Sequence, residues 1–257
     1  MSDNRPNSKV CRWAAIDPGL KNLSLCVVDI FKDPKRMEIV HWDVYDILPK
    51  DSLIRKFRSE DIAGFICKWI IENEALFLTI DQMFIEMQMK SVMKQVQNTV
   101  YARFYPRGHF LSPLKVKRYF SINVGNYALN KVAAVDLVQE YLLANIGGMI
   151  QLSPNARIDL LGGKRKKNKK KSSQAILHIY RNLCDCMSEE EEASSDVMIF
   201  EPEERDPSDM ETEIMEQALA KKLGKDYNLV QLAGQLDHNM ADAFMIILYA
   251  FDNMAAF

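Results

Sequence analysis

The first clear hydrophobic pattern in the chain is a pair of apolar runs separated by a tight turn. The run Trp13–Ile16 ends at Asp17, and a Pro-Gly pair comes directly after it. Proline fixes φ and glycine allows positive φ, so the chain is predicted to turn there. The second run, Leu23–Ile30, is predicted to return as the other strand of a hairpin. Asp17 would then lie at a strand end held by the core, a position that suits a catalytic acid, although an aspartate that merely favours the turn fits the same pattern.

The next part of the chain predicts a mixed sheet with helices. Met37–Tyr45 alternates between apolar and polar residues and is predicted to be a third strand. Ile62–Glu74 repeats its apolar residues at helical spacing, and Leu76–Ile85 is a largely apolar run that ends in Glu86. A hairpin, a third strand, a helix and a buried strand form the opening order of an RNase H-like sheet. The predicted fold class is therefore α/β, with an RNase H-like mixed β-sheet flanked by helices.

Further elements are predicted downstream. Ser91–Tyr105 has a helical pattern, Gly108–Ser112 is predicted to be a short strand, and Tyr127–Ala144 is predicted to be an amphipathic helix. The segment SPLKVKRYF, between the short strand and that helix, is predicted to be a basic turn. The last helix, about Gln235–Phe251, is so apolar that it must be packed against the core.

Between these elements, residues 147–224 are predicted to form a charged, partly disordered insertion within a single domain of residues 1–257. This range contains the basic block Lys164–Lys171, the acidic block Glu189–Glu192 and few core residues, apart from a possible short helix at Ala175–Cys186. Such composition is typical of solvated or disordered segments. The lysine block is interpreted as an accessory DNA contact, with a nuclear-localisation-like signal or a solvated charge run as alternatives.

Composition indicates a globular protein rather than a membrane protein. The chain has 257 residues, 48% hydrophobic and 26% charged, with a net charge of −2. No apolar run reaches the roughly 18 residues of a membrane span, and the polar N-terminal residues lack the apolar core of a secretory signal. Cys11, Cys26 and Cys67 lie in apolar segments and are predicted to be reduced, buried thiols. These features predict a soluble, intracellular protein without a membrane partner.

Three carboxylates lie next to predicted core elements, and their pattern indicates metal chemistry. Asp17 and Glu86 come directly after apolar strands, and Asp242 lies in the first turns of the last helix. Each has an ordinary alternative as a turn residue, a helix cap or a surface charge. Buried carboxylates are costly unless they are paired or bound to metal, and converging ones would repel one another. Two Mg²⁺ ions would relieve this repulsion and could support phosphodiester cleavage. Basic residues near the acids would neutralise DNA phosphates; the candidates are Lys21, Lys90, Lys94, Lys115, Lys117, Arg118 and Lys131.

Five motifs, in order, carry a family resemblance that covers roughly half of the chain. They are AAIDPGLKN, FIEMQMK, SPLKVKRYF, GNYALNKVAAVDL and HNMADAFMIILYA. With these motifs the sequence resembles the poxvirus-type Holliday junction resolvases, the viral branch of the RuvC-like group within the RNase H-like superfamily. The resemblance implies a homodimer that cuts four-way DNA junctions symmetrically with Mg²⁺, or with Mn²⁺ as a substitute, in viral genome recombination and replication. It also implies a location at the viral replication site in the host cell.

The resemblance also assigns site residues. It implies that Asp17, Glu86 and Asp242 are metal ligands. It marks Lys117, or else Lys131, as the basic group near the scissile phosphate.

The chain departs from the family at the fourth ligand position. The family usually has a second acidic residue three positions before the last aspartate, and Asn239 occupies that position here. An asparagine oxygen can bind Mg²⁺ but brings no charge. His238, four positions before Asp242, is a possible substitute, whereas Asp237 lies five before it, about 140° around an ideal helix.

Three possibilities are open at this position. The chain is an enzyme that uses Asn239 or His238, an enzyme that recruits Asp237 through an irregular helix start, or an inactive protein. The rival functions are a non-cleaving junction-binding protein and an RNase H-like nuclease that acts on RNA–DNA hybrids or flaps.

Overall fold

A six-stranded mixed sheet forms the centre of the protein in the computed structural model, which describes residues 10–32, 34–49, 57–122, 127–145, 148–158 and 236–254. The strands lie in the order β5-β4-β1-β2-β3-β6. Their bounds are β1 Cys11–Asp17, β2 Leu23–Phe31, β3 Arg36–Tyr45, β4 Gln82–Glu86, β5 Gly108–Leu111 and β6 Ile150–Ile158.

Helices cover both faces of this sheet. The helices that the structure describes are α1 Ser59–Glu72, α2 Glu74–Phe77, α3 Ser91–Phe104, α4 Pro113–Tyr119, α5 Tyr127–Ala144 and α6 His238–Met254.

The pairing of the strands confirms the predicted fold class. Strands β1, β2 and β3 form an antiparallel meander, in which Asp17 pairs with Ser24. Strand β4 pairs with β1 in parallel, and β5 pairs with β4 in parallel. This is the RNase H-like arrangement, with β6 added in parallel to β3. Because β1, β4 and β5 run in the same direction, their carboxyl ends lie at one edge of the sheet.

Alternation of side chains along β1 separates two hydrophobic layers. Trp13 and Ala15 belong to the layer formed with α5 and α6, whereas Ala14 and Ile16 belong to the layer formed with α1 and α3. Successive side chains of a strand point to opposite faces of the sheet. Asp17 therefore continues the series of Trp13 and Ala15 and lies on the face covered by α6.

Helix α6 is fixed to the sheet by both apolar packing and a polar contact. Its residues Ala243–Leu248 are all buried. Trp42 of β3 stacks on Phe244, with ring centroids 4.7 Å apart, and its indole nitrogen donates a hydrogen bond of 3.1 Å to the carbonyl oxygen of Met240. This contact with the first turn of α6 holds that turn over the sheet.

The run Leu76–Ile85 is not a single strand, which corrects the prediction. Its first residues form α2 and a turn, and only Gln82–Glu86 joins the sheet. Phe77 and Ile80 are apolar because they are buried in the layer of α1 and α3, not because they lie in a strand. An apolar run shows burial but does not by itself separate a strand from a packed turn.

The prediction of a basic turn at SPLKVKRYF is also wrong, because Pro113–Tyr119 is a helix. Proline fits the first helical position, since its missing N–H has no partner there in any case. Val116 is buried on the inner side of this helix, while Lys115 and Arg118 are exposed. The segment is a short amphipathic helix, but its many charged residues make this pattern difficult to recognise from the sequence.

Strand β6 lies inside the range that the sequence indicated as an insertion. Ile150 is buried, and β6 extends the sheet beside β3. The lysine block Lys164–Lys171 and the possible helix at Ala175–Cys186 lie outside the described residues. The other predicted elements, including the hairpin, α3, α5 and the last helix, agree with the structure to within a few residues at their ends.

The cysteine prediction is correct only in part. Cys11, Cys26 and Cys67 are free thiols, but Cys26 alone of these three is fully buried, and Cys67 lies on the exposed side of α1. In the part of the chain that the structure describes, none of the helices combines the length and apolar composition needed to cross a membrane.

Replacing Trp42 is expected to destabilise the protein and to loosen α6. Trp42→Ala should lower the free energy of unfolding by about 3–5 kcal/mol, because it removes a large buried side chain. Trp42→Phe should lower the free energy of unfolding less, since it keeps most of the packing although it loses the hydrogen bond to Met240. The measurement is urea unfolding followed by circular dichroism. Ile71→Ala, at a position 69% exposed on α1, should stay within about 0.5 kcal/mol of the original protein. A Trp42→Ala protein as stable as this control would contradict the assigned packing.

Candidate active site

Asp17 and Glu86 lie side by side at one edge of the sheet. They are the last residues of β1 and β4, and the parallel register pairs Ile16 with Ile85 immediately before them. Glu86 lies two residues after Phe84, which faces the α5–α6 layer, so both carboxylates lie on the face covered by α6. The backbone ladder therefore sets the separation of these two acids.

Asp242 brings a third carboxylate from α6. It is half-buried in the second turn of the helix, between the buried residues Ala241 and Ala243. Its charge contributes to raising the pKa of Asp17, and the charge of Glu86 raises the pKa of Asp242 in turn. The three acids predicted from the sequence are therefore gathered in one region of the fold.

Burial and the proximity of the acids to one another make ionisation of the aspartates unfavourable. The pKa of Asp17 is raised well above its ordinary value, first by burial, then by the charge of Glu86 and a hydrogen bond with it, and then by Asp242. Burial and the charge of Glu86 raise the pKa of Asp242 to about 6. Lys117 opposes both pKa shifts, and Lys131 opposes that of Asp242. The nearby lysines thus do not offset the combined effect of burial and of the neighbouring acids, and an additional cation would favour the ionised carboxylates.

Gln88 connects two of the acids, and the sequence did not identify it as a site residue. Its amide nitrogen lies 3.2 Å from Asp17 Oδ1 and 3.0 Å from Glu86 Oε2, so one amide group donates to both carboxylates. Its backbone N–H donates to Gln97 Oε1 at 2.7 Å. A signal was available, since residues two apart in an extended segment point to the same side and Gln88 lies two positions after Glu86.

Ser24 is a second residue that the sequence did not indicate. It is fully buried and directly opposite Asp17 in the pairing of β1 with β2, so the two side chains lie on the same face of the sheet. Its hydroxyl has no hydrogen-bond partner among the described residues. A buried hydroxyl without a partner is unfavourable, and it offers an unused oxygen next to Asp17.

Lys117 and Lys131 approach the acids from two helices. Lys117, half-buried on α4, acts electrostatically on both Asp17 and Asp242, whereas Lys131 on α5 acts on Asp242. The ammonium of Lys131 also lies 2.7 Å from Nε2 of His238. That nitrogen of His238 therefore faces a cation and accepts its hydrogen bond.

The first turn of α6 holds the three residues considered for the fourth ligand. Asp237 caps the helix, because its Oδ1 accepts a hydrogen bond of 2.9 Å from the backbone N–H of Met240. His238 is directed to Lys131, and Asn239 is half-buried one turn before Asp242. Residues three apart share a helix face, so Asn239 is the neighbour of Asp242 along α6.

The predicted DNA-binding residues are exposed and come after the carboxyl ends of the parallel strands. Lys21 lies in the turn after β1, and Lys90 and Lys94 lie at the start of α3, just after β4. Lys115 and Arg118 lie on α4, just after β5. Because the strands end at one edge, these five cations belong to the same edge of the sheet as the acids.

The donor set suits a hard divalent cation. Magnesium keeps several waters and is usually bound through one or two carboxylates, and Asp17 and Glu86 supply two. The unused oxygen of Ser24 lies opposite Asp17. Within the described residues, however, no three His, Cys, Asp or Glu side chains surround one point closely enough to hold a metal ion. The residues therefore fit one cation at the acid pair, and a position that includes Asp242 needs its side chain to move closer.

Comparison with known proteins finds likenesses among solved structures alone. No protein-family model and no curated protein matches the chain. The mitochondrial Holliday junction resolvase Ydc2 of yeast is 22% identical over 71% of this chain and 88% of its own, with a TM-score of 0.45. The fowlpox virus resolvase, solved with its substrate Holliday junction DNA, is 12% identical over 52% of this chain and 76% of its own, with a TM-score of 0.38. RuvC of Thermus thermophilus is 14% identical over 53% of this chain and 80% of its own, with a TM-score of 0.33. At these identities and TM-scores the likenesses do not extend to the activity.

Removing the charge of Asp242 is expected to stabilise the metal-free protein above neutral pH. The pKa of Asp242 is raised to about 6, so the folded chain holds this proton more tightly than the unfolded chain does. Ionisation therefore destabilises the fold, fully above pH 6 and progressively less as the pH falls toward the ordinary value of 3.8. Asp242→Asn should stabilise the protein by about 1–3 kcal/mol at pH 7.5 in EDTA, the range allowing for partial solvent exposure. Thermal unfolding at pH 7.5 and pH 4 measures this difference.

Asp136→Asn, a substitution of an exposed aspartate on α5, is the matched control and should change the melting temperature little at either pH. The interpretation fails if Asp242→Asn gives no gain at pH 7.5, or the same gain at both pH values.

Proposed function

We propose that the protein is a Mg²⁺-dependent endonuclease that cuts branched DNA. The observation that carries this proposal is the gathering of Asp17, Glu86 and Asp242 at the edge of the sheet that also bears the exposed basic residues. Acids alone would suit a structural cation, and basic residues alone would suit simple DNA binding. A cation site placed beside a phosphate-binding surface favours phosphodiester hydrolysis.

Asp17 and Glu86 would hold the first cation, because the ladder between β1 and β4 fixes their carboxylates at adjacent positions. Asp242 would take part in holding a second one. Bound divalent cations supply an activated water molecule and stabilise the leaving oxygen in phosphodiester cleavage. The raised pKa values of Asp17 and Asp242 favour their protonated forms. Because a carboxylate binds metal in its ionised form, these protons would be released when metal binds.

Lys117 is the better placed of the two candidate basic groups. It acts electrostatically on both Asp17 and Asp242, whereas Lys131 acts on Asp242 alone of the two. Lys117 would contact an oxygen of the scissile phosphate. Lys131 instead bonds to His238 and would hold the first turn of α6 to α5 while balancing the charge of Asp242.

The remaining basic residues would bind the DNA backbone on either side of the acids. Lys21, Lys90, Lys94, Lys115 and Arg118 are exposed on three connections at this edge, a distribution that suits contacts with more than one phosphate. Such contacts give affinity without sequence preference.

The four-way junction as substrate and the homodimer rest on the sequence resemblance. A junction that is cut symmetrically presents two equivalent phosphates, so two copies of the site would act on it. In keeping with the resemblance, such junctions would arise during viral genome recombination and replication.

A second candidate is a protein that binds junctions without cutting them. The observations that favour it are the uncharged Asn239 at the fourth ligand position and the shortage of a third close ligand among the described residues. The two candidates share the DNA surface and differ in metal-dependent cleavage.

Neutralising either acid of the strand pair is expected to abolish cleavage and leave DNA binding largely intact. Asp17→Asn and Glu86→Gln keep the side-chain shape and remove the charge that binds metal, whereas the phosphate contacts come from the lysines and Arg118. The assay is cleavage of a mobile four-way junction with Mg²⁺ or EDTA, with binding measured separately by fluorescence anisotropy. Loss of about 10³-fold or more in rate is expected for removal of a ligand in a reaction driven by such groups.

Glu140→Gln, an exposed change on α5, is the control and should cut at the rate of the original protein. Near-normal cleavage by Asp17→Asn or Glu86→Gln would rule out the proposed metal site. An original protein that binds the junction but does not cut it in Mg²⁺ or Mn²⁺ would favour the second candidate.

A carboxylate at position 239 is expected to strengthen binding of the second cation. Asn239→Asp should lower the Mg²⁺ concentration needed for half-maximal cleavage, because it adds a charge beside Asp242, and junction affinity should change little. His238→Ala should then have a small effect. If His238→Ala instead abolishes activity and Asn239→Asp is silent, His238 is the ligand, and Mn²⁺, which accepts imidazole nitrogen more readily, should be the preferred metal. Magnesium and manganese titrations of both variants decide between these outcomes.

A further inference from the structure

The amide of Gln88 occupies the place between Asp17 and Glu86 that a shared cation would need. One nitrogen, at 3.2 Å and 3.0 Å from the two carboxylates, satisfies both of them. We infer that Gln88 is a two-way positioning residue, which donates through its nitrogen to the acids in the metal-free protein and turns its oxygen toward the cation once metal is bound. This inference rests on the proposed metal site and goes beyond it by assigning Gln88 a part in loading that site.

In the metal-free protein the amide reduces the repulsion between the acids. An NH₂ group carries two donors, so it can serve one oxygen of each carboxylate at the same time. This donor adds to the hydrogen bond between Asp17 and Glu86, at two carboxylates that the β1–β4 ladder holds side by side. Gln88 therefore keeps the pair together before a cation arrives.

The other end of the same amide is suited to the loaded state. The carbonyl oxygen is a hard neutral ligand of the kind that divalent cations accept, directly or through a bound water. The oxygen and nitrogen ends have nearly the same shape, and the terminal torsion of glutamine is broad. A half turn about that torsion exchanges donor for acceptor without moving the backbone.

The backbone of Gln88 is fixed, so that only the amide end of the residue needs to turn. Its N–H donates to Oε1 of Gln97 at 2.7 Å, and Gln97 is a buried residue of α3. The amide nitrogen of Gln97 in turn donates to Asn98 Oδ1 at 3.2 Å. This arrangement ties the segment after β4 to α3 and directs the Gln88 side chain toward the acids.

The inference predicts opposite effects on metal binding for two substitutions of similar size. Gln88→Met removes both donor and acceptor, so it should lower the melting temperature in EDTA and weaken Mn²⁺ binding by about tenfold, the lower end of the range for groups that support metal ligands. Gln88→Glu removes the donor but keeps an acceptor with added charge. It should lower the melting temperature in EDTA at least as much, yet bind Mn²⁺ more tightly than the original protein.

Calorimetric titration of the full-length protein with Mn²⁺, without DNA, and thermal unfolding in EDTA measure these two properties independently of cleavage. Gln82→Met and Gln82→Glu are matched controls, because Gln82 is a half-buried glutamine at the opposite end of β4 that bonds to His109 at 2.6 Å. Whatever their effect on the melting temperature, both should bind Mn²⁺ within about twofold of the original protein.

Equal loss of Mn²⁺ affinity in Gln88→Met and Gln88→Glu would overturn the two-way role, and so would unchanged affinity and melting temperature in both. In either case an original protein that still binds Mn²⁺ and cuts DNA leaves the proposed function intact. An original protein that binds no Mn²⁺ would overturn the proposed function together with this inference.

Discussion

The repulsion among three carboxylates is the constraint on which the site depends, and hydrophobic packing is what sustains it. Asp17 and Glu86 end two strands whose preceding residues, Ile16 and Ile85, are completely buried. Asp242 is placed between buried alanines on α6. None of these acids can move far from the others without breaking the sheet or uncovering apolar surface. The free energy of core burial therefore holds together charges that would otherwise separate.

The groups around the acids reduce this repulsion by different means. Lys117 and Lys131 lower the cost of ionising the aspartates, and Gln88 supplies a neutral donor to the strand pair. The pKa of Asp242 nevertheless remains at about 6, because burial and the charge of Glu86 outweigh the two lysines. Under the proposed function, a divalent cation bound at these carboxylates would lower the remaining cost of their ionisation.

Hydrophobic periodicity was enough to predict the main elements from the sequence, whereas features that depend on three-dimensional contact were missed. The hairpin of β1 and β2 and the position of Asp17 at its turn were predictable, because apolar runs and a Pro-Gly pair define both. The sequence predicts a turn where helix α4 lies, since only Val116 marks the buried side of this helix. The proximity of Asp17 and Glu86 is predictable from their positions at strand ends, and that of Asp242 from its place in a strongly apolar helix. Gln88 and Ser24 were missed, because a neutral amide or hydroxyl acquires a role only through the particular carboxylate beside it.

Backbone hydrogen bonds of the sheet position one part of the site, and side-chain contacts of α6 position the other. This division bears on the fourth ligand. Hydrogen bonds between β1 and β4 fix Asp17 and Glu86, so a cation at this pair depends little on packing elsewhere. Asp242 and Asn239 belong to α6, whose first turn is held by the cap at Asp237 and by the contact of Trp42 with Met240. A second cation would lie between these two parts. Its affinity should therefore respond both to the charge at position 239 and to the packing of α6, whereas the first cation should respond to neither.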